Sequence, residues 1–368
     1  MRDIKIVIID KFRGNLSLQD KYLRASGLEN LEFNGDKENK EKRLEEEEKL
    51  LEKHKVSEVQ EFKERLEALN FKVRILDFEN EEEFYKKIKE FQPDLAINAS
   101  EEKEIIFLEK NSIPYTGSNL ETMILSSDKY KTKRVVKNDS LNIAEDFLVK
   151  SIEDMNIFFN EKINAKKNYI AKPNFGRGSA GICEDSIIRY ENIYNKERLL
   201  KLKEHFKKII LGLKQPVLVE ELISEGFSND YNKENFKEVT VGVLGYERPK
   251  VLMPLEIRKK NSILTFDAKM NDNAEFIVPA DIDSKMIKKL SDIAIKTYYS
   301  LKARDYLRID LIVHNDEIYL LETNTAPGLM MNHLNNGIPN SYLGIMAERE
   351  GINLIEEIVK IARKRYNI

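Results

Sequence analysis

The sequence predicts a mixed α/β (α+β) chain that opens with a small N-terminal parallel α/β unit. Three observations carry this. Short β-branched runs separated by charged, helix-compatible stretches fill the first third. A strand-like run, "NYIAKP", leads into a glycine-rich loop and then a second strand. The stretch "LRIDLIVHNDEIYLLETN" reads as a β-hairpin.

The N-terminal unit comes from "IKIVIID", "KVRILDF" and "DLAINAS". The apolar core of "MRDIKIVIID" is too short for a signal-peptide h-region and reads as a first strand, so a cytoplasmic protein is expected. Between the first two strands, Lys37 to Lys55 has only Leu44, Leu50 and Leu51 as apolar residues. A helix that polar buries no face, so 37–55 is a solvated excursion or a partner-facing arm. Val56, Val59, Phe62, Leu66 and Leu69 then recur at helical spacing and give one buried stripe. "NSIPYTGSN", Asn111 to Asn119, carries the break signals that set a first boundary, giving an N-terminal segment 1–117.

A helix is expected near "SSDKYKTKRVVK", with Ser126, Ser127 or Asp128 as its cap. "QPVLVEELI" is a strand entering a loop, and "FKEVTVGVLG" with "KVLMPLEI" form antiparallel neighbours. The final helix, "GINLIEEIVKIARKRY", puts Ile352, Ile355, Ile358, Val359 and Ala362 on one face, with basic residues near its end.

Composition excludes several classes. Charged residues are 34% and apolar residues 41%, and the net charge of −3 gives no pull toward nucleic acid or anionic lipid. No run approaches the ~18 to 20 apolar residues of a membrane span. One cysteine permits neither an internal disulfide nor a Cys-based metal site. Cys183, among small and apolar residues with no histidine near it in sequence, reads as a packed thiol.

The hairpin carries the chemistry. With strands Leu307–His314 and Ile318–Asn324 and a three-residue turn, Asp310 sits opposite Glu322 and Arg308 opposite Asn324. All four then project from one face. Two carboxylates and an amide oxygen suit Mg²⁺, with Arg308 to fork onto a phosphate or carboxylate. A surface salt bridge between Arg308 and its acidic neighbours accounts for the same residues. In "AKPNFGRGSAGI", Gly176, Gly178 and Gly181 let backbone amides crowd a phosphate, with Ser179 in the loop and Lys172 upstream as a point charge. The spacing is neither a P-loop nor a dinucleotide fingerprint, and an ordinary turn fits it equally.

In order, "IPYTGSN…SSDKYKTK", "YIAKPNFGRGSAGI", "VLVEELI", "KEVTVGVLG", "LRIDLIV" and "YLLETNTAPGL" resemble the ATP-grasp enzymes, most closely the D-alanine–D-alanine ligase branch, over roughly the last two thirds of the chain. The resemblance implies two α+β subdomains clasping ATP, 118–222 and 223–368, and an ADP-forming carboxylate–amine ligation through an acyl phosphate. It implies ATP contacts from Lys129, Lys172, Gly176, Gly178 and Ser179, an adenine hinge at Glu220, Glu221 and Ile223, and ribose binding by Glu238. Asp310, Glu322 and Asn324 would hold two Mg²⁺ ions, with Mn²⁺ as a substitute. Arg308, the Gly328 amide, Lys269 and Ser179 would serve catalysis. The partners implied are small-molecule carboxylate and amine substrates and, through the first domain, a second copy of the chain.

Departures fall on substrate recognition. The first third has Arg13, Gly14 and Ser17 but no equivalent of the family's Gly-rich, Glu- and Ser-bearing segment, and "SEGFSNDYNKENFK" is an insert. Past the metal strand come Met330, Met331 and His333. Met330 reads as pocket wall or core. His333, about where the family's serine holds a carboxylate, binds a carboxylate or caps the next helix. Amino acids or short peptides, with altered recognition, are the expected substrates. A true D-alanine–D-alanine ligase with a divergent first domain, a nucleotide-binding module without catalysis, and phosphoryl transfer to another acceptor are the competing readings.

Overall fold

The structure is a computed structural model that describes residues 4–12, 59–78, 80–97, 102–137, 141–164, 166–176, 182, 184–189, 193–223, 236–258, 275–329 and 341–368. The charged excursion 37–55, Cys183, most of the 224–237 insert and Met331 lie outside the described residues.

The N-terminal sheet has β1 (Lys5–Phe12) between β2 (Lys72–Phe78) and β3 (Leu95–Ile97), all parallel as the three β-branched runs predict. Alternation along β1 explains its continuous apolar run. Ile6 and Ile8 face a cluster with helix α1 (59–68), whereas Val7 and Ile9 face α2 (Glu81–Phe91) and α3 (Glu102–Lys110). Both faces of a small parallel sheet are thus covered. From the predicted stripe, Val59, Phe62 and Leu66 are buried in α1. Asn80 caps α2 by accepting from the Glu83 amide at 3.0 Å.

Helices α4 (Leu120–Ser127) and α5 (Lys129–Val136) follow in quick succession. Of the three candidate caps, Asp128 serves α5, accepting from the Lys131 amide at 3.0 Å. The antiparallel central sheet runs β4 (Asp146–Val149), β7 (Val217–Glu221), β5 (Tyr169–Pro173), β6 (Ile187–Ile188), with α6 (Ile152–Ile157) and α7 (Lys196–Lys207) on it.

The largest sheet is antiparallel and contains β8 (Phe236–Gly245), β9 (Lys250–Val251), β10 (Leu255–Arg258), β11 (Glu275–Ile277), β12 (Asp305–His314) and β13 (Glu317–Asn324). Val239, Val241 and Val243 of β8 pack with Leu307, Ile309 and Leu311 of β12 against α8 (Ser284–Ser300). The opposite face meets α9 (Tyr342–Arg349) and α10 (Leu354–Tyr366), whose buried Leu354, Ile355, Ile358, Val359 and Ala362 also reach the N-terminal unit. Val136 and Leu141 join the α8 cluster, and Ser126 bonds Thr325 at 2.7 Å. Helix α5 therefore shares the core of the third sheet, while Met123 of α4 packs into the N-terminal cluster, although in sequence both helices lead into the second sheet.

Gly242 is the neighbour of Arg308 across the strand pair. A Cβ there would lie 2.6 Å from Leu343 Cδ1 and 3.0 Å from Leu252 Cδ1, so its absence lets α9 approach the sheet. Gly242→Ala should cost about 1–3 kcal/mol by overpacking, read as a lowered denaturation midpoint at unchanged m-value.

Candidate active site

The hairpin β12–β13 sets the first half of the site. Asp310 pairs with Glu322 and Arg308 with Asn324, the register expected from sequence. The route to it differs. The turn is two residues, Asn315 and Asp316, both at positive φ, as a type I′ turn requires. A register shift between Asp310 and Leu311 then restores the alignment a three-residue turn would have given.

Arg308 donates from Nε to Asp310 Oδ1 at 3.0 Å and from Nη2 to Oδ2 at 2.8 Å, and its Nη2 lies 3.7 Å from Glu322 Oε1. Thr240 Oγ1 on β8 donates to Asp310 Oδ1 at 2.9 Å. Burial raises the Asp310 carboxyl most, Arg308 opposes this, and the charge of Glu322 adds to it. Burial also works against the Arg308 charge, but Asp310 and Glu322 outweigh it and hold the guanidinium above its usual range. Asn324 Oδ1 accepts from the Ala326 amide at 3.0 Å, which fixes the side chain at the strand end and leaves a second lone pair.

Among the described residues no three His, Cys, Asp or Glu side chains gather as a metal cluster. The donor set is two carboxylates and an amide oxygen. That set is too sparse for a cage but fits Mg²⁺, which binds through one or two carboxylates and completes its shell with water and phosphate.

A cationic group supplies the second half. Lys172 on β5 and Lys133 on α5 each contact one oxygen of Glu220 on β7. All three are nearly or fully buried. Lys133 also donates to the Leu320 carbonyl of β13 at 3.2 Å. It therefore joins the central sheet to the strand that carries Glu322. Burial pushes Lys133 well below the usual lysine range, with the charge of Lys172 adding to the effect. Burial likewise pushes Lys172 down to about 8, and the charge of Lys129 adds to it; Glu322 and Asp146 pull the other way.

Sequence reasoning missed Lys133. It looks on paper like one more lysine in "DKYKTKR", and its signal lay in the helical spacing of Lys129 and Lys133, four residues apart on one side of α5. Lys129 reaches three carbonyls, those of Pro173, Asn174 and Gly176, at 3.3, 3.4 and 2.7 Å. It thereby anchors the root of the glycine loop to α5. Asn174 completes the anchor, donating to Asp128 Oδ1 and accepting from the Tyr130 amide, both at 2.9 Å. Gly176 has a φ of 122°, a conformation that favours glycine.

Other expected residues are distributed as follows. Glu221 pairs with Lys167 at 2.9 Å, and Ile223 is half-buried just past β7. Glu238 lies on β8 two residues before Thr240, beside Ile312 of β12. The carbonyl of Gly328 accepts from Ser341 Oγ, the cap of α9. Gly178, Ser179, Lys269, Met330 and His333 lie outside the described residues. Tyr342, at the start of α9, was not anticipated. Its ring centroid lies 5.3 Å from the Arg308 guanidinium and 5.4 Å from the Phe276 ring. Burial raises its phenol, against Arg308, and the charges of Glu238, Asp310 and Glu322 reach it as well. The tyrosine thus belongs to the same charged cleft.

The arrangement can neutralise a polyphosphate from both sides, with lysines of β5 and α5 on one and a carboxylate–amide cation site on the other. Comparisons with known proteins give the chain's likenesses. A family model described as "D-ala D-ala ligase C-terminus" matches residues 217–360. A D-alanine–D-alanine ligase of Fervidobacterium nodosum is 32% identical over 227 residues, which cover 60% of this chain and 66% of that protein. A D-alanine–D-alanine ligase of Carboxydothermus hydrogenoformans is 31% identical over 275 residues, covering 69% and 73%. Among solved structures, a Bacillus anthracis D-alanine–D-alanine ligase complexed with ATP superposes with a TM-score of 0.61 at 19% identity, covering 98% of each chain. The VanG D-Ala:D-Ser ligase of Enterococcus faecalis gives 0.60 at 17%, covering 98% of this chain and 100% of that one.

Proposed function

This chain belongs to the D-alanine–D-alanine ligase family of ATP-grasp, C–N-bond-forming ligases, and from that premise we propose that it joins an amino acid or short peptide carboxylate to an amine, releasing ADP and phosphate. The observation that carries the reading is Lys133, which touches Glu220 of the central sheet and the Leu320 carbonyl two residues before Glu322. ATP phosphates held there lie between cations on one side and the cation-binding carboxylates on the other.

Lys133 and Lys172 meet the phosphates, while Lys129 holds the Pro173–Gly176 segment that leads into the glycine loop. Asp310, Glu322 and Asn324 hold Mg²⁺, which when bound neutralises phosphate charge. The substrate carboxylate attacks the γ-phosphorus, ADP leaves, and an acyl phosphate forms. The amine then attacks the acyl carbon, phosphate leaves, and the amine loses a proton. Arg308, steadied by Asp310 and the Tyr342 ring, faces the negative charge that builds on the acyl oxygens, and no protein nucleophile is needed.

Substrate recognition differs from that of the relatives, because the departures in "IDKFRGNLSLQDKYL" and after Pro327 fall on recognition segments. The identity to D-alanine–D-alanine ligases favours a second reading, in which D-alanine is the substrate on both sides. Incubation with Mg²⁺-ATP and pools of D- and L-amino acids and dipeptides separates the two. The expected result is stoichiometric ADP release with a product at the summed mass less water. D-alanyl-D-alanine as the main product establishes the second reading. ADP with a phosphorylated substrate and no amide overturns both.

A further inference from the structure

We propose that Glu220 is a positioning residue, a buried carboxylate clasp that holds Lys133 and Lys172 side by side so that both ammonium groups face one anion. The inference rests on the ligase reading for the identity of that anion, a nucleotide phosphate, but the clasp itself is a property of the chain.

The geometry is specific. Glu220 is 3% exposed, and each of its two oxygens contacts a different lysine. Lys133 is 2% exposed and Lys172 is 9% exposed. A carboxylate used on both oxygens has little capacity left to read a base edge, so its side chain serves the cations. The backbone of the same strand end is paired on both sides, with the Glu221 and Leu222 amides donating to the Glu145 and Asn168 carbonyls at 2.8 Å, which fixes where the Glu220 side chain stands.

Burying two ammonium groups together is costly, because each loses its hydration and each repels the other. A side chain of similar size without charge would leave both lysines inclined to shed their protons. The charged groups facing the triad come from every packed element. Lys129 and Arg134 on α5 work against protonation. Asp146 on β4, which pairs with Arg134, and Glu322 on β13 work for it. None of these replaces the direct contact that Glu220 makes with both lysines at once. The clasp also explains the placement of a glutamate beside Asp146 in the β4–β7 pair, where two carboxylates would otherwise repel. Each has its own cation, Arg134 for Asp146 and the two lysines for Glu220.

The test uses the full chain labelled with ¹³C at lysine Cε, with the two resonances assigned by their loss in Lys133→Met and Lys172→Met. In Glu220→Gln the titration midpoints of both lysines should fall by about one unit or more, the scale of a lost neighbouring charge. Affinity for Mg²⁺-ATP should then fall roughly tenfold at pH 8 and recover most of that at pH 6, as protons return. Glu220→Asp keeps the charge at shorter reach. It should hold the midpoints near the wild-type values while weakening ATP, which also serves if the glutamine variant folds poorly. Unmoved midpoints in Glu220→Gln overturn the clasp, as does an affinity loss of the same size at both pH values. Absence of ATP binding by the wild-type chain would instead overturn the ligase reading, and the lysine midpoints would still decide the clasp.

Discussion

Glu322→Gln is expected to abolish ATP-dependent ligation, lowering kcat by roughly 10³-fold or more, on the scale of removing one preorganised electrostatic group. The substitution keeps the size and the strand, removes the charge and turns one acceptor oxygen into an NH₂ donor. The charges of Asp310 and Glu322 stand together beside Arg308, and a Mg²⁺ ion bound through one or two carboxylates would lose half of that charge in the variant. The measurement is ADP release at saturating Mg²⁺, with circular dichroism to show an unchanged fold. Activity within tenfold of wild type would mean that Asp310, Glu322 and Asn324 do not hold the catalytic cation. Asp310→Asn should be as severe but less clean, because it also releases Arg308 from its bidentate anchor.

Arg365→Met is expected to give the largest loss of stability among single substitutions, about 3–5 kcal/mol, the cost of leaving one partner of a buried ion pair uncompensated. Arg365 on α10 donates to both oxygens of Asp305, at 2.9 and 2.7 Å, and to the carbonyl of Tyr115 at 2.7 Å. Asp305 in turn accepts from the Gly117 amide at 2.8 Å. One guanidinium therefore joins the end of the N-terminal unit, the start of β12 and the last helix. Burial already raises the Asp305 carboxyl in the native protein, and Arg365 opposes that rise. Without the arginine the carboxyl rises further. A folded-state value above the unfolded one contributes stability below the ordinary 3.8, and that contribution is lost as pH climbs. The deficit of the variant against wild type should thus be least near pH 4 and grow toward neutrality. Chemical denaturation at several pH values measures it, and a deficit that shrinks with rising pH would refute the assignment. Asp305→Asn combined with Arg365→Met should recover part of the loss, since no charge is then stranded.

The hairpin shows how far sequence can be carried. Period-two alternation placed Arg308, Asp310, Glu322 and Asn324 on one face, and the structure has them in that pairing. The turn was read one residue too long, because Asn315 and Asp316 both enter the left-handed region and close the hairpin in two residues. A bulge beside Asp310 compensated. The β1, β2 and β3 runs, the β8 pairing and the face of α10 were legible for the same reason: each is written in the periodicity of its own residues.

Lys133 was not legible, although it stands in a motif the sequence made plain. Its role depends on Glu220, 87 residues away, and on a carbonyl of β13, 187 residues away. Tyr342 is similar: nothing local marks it, and only the close approach of α9 over Gly242 brings it to Arg308. The sequence by itself determined the succession of strands, the buried face of the last helix and the residue types of the site, because these are local and periodic. The tertiary structure alone decided which lysines share a carboxylate, which core α5 joins and which residue ties the end of the N-terminal unit to β12 and the last helix. Those outcomes rest on contacts between distant segments, whose geometry is fixed only when the sheets pack and their buried charges must find partners.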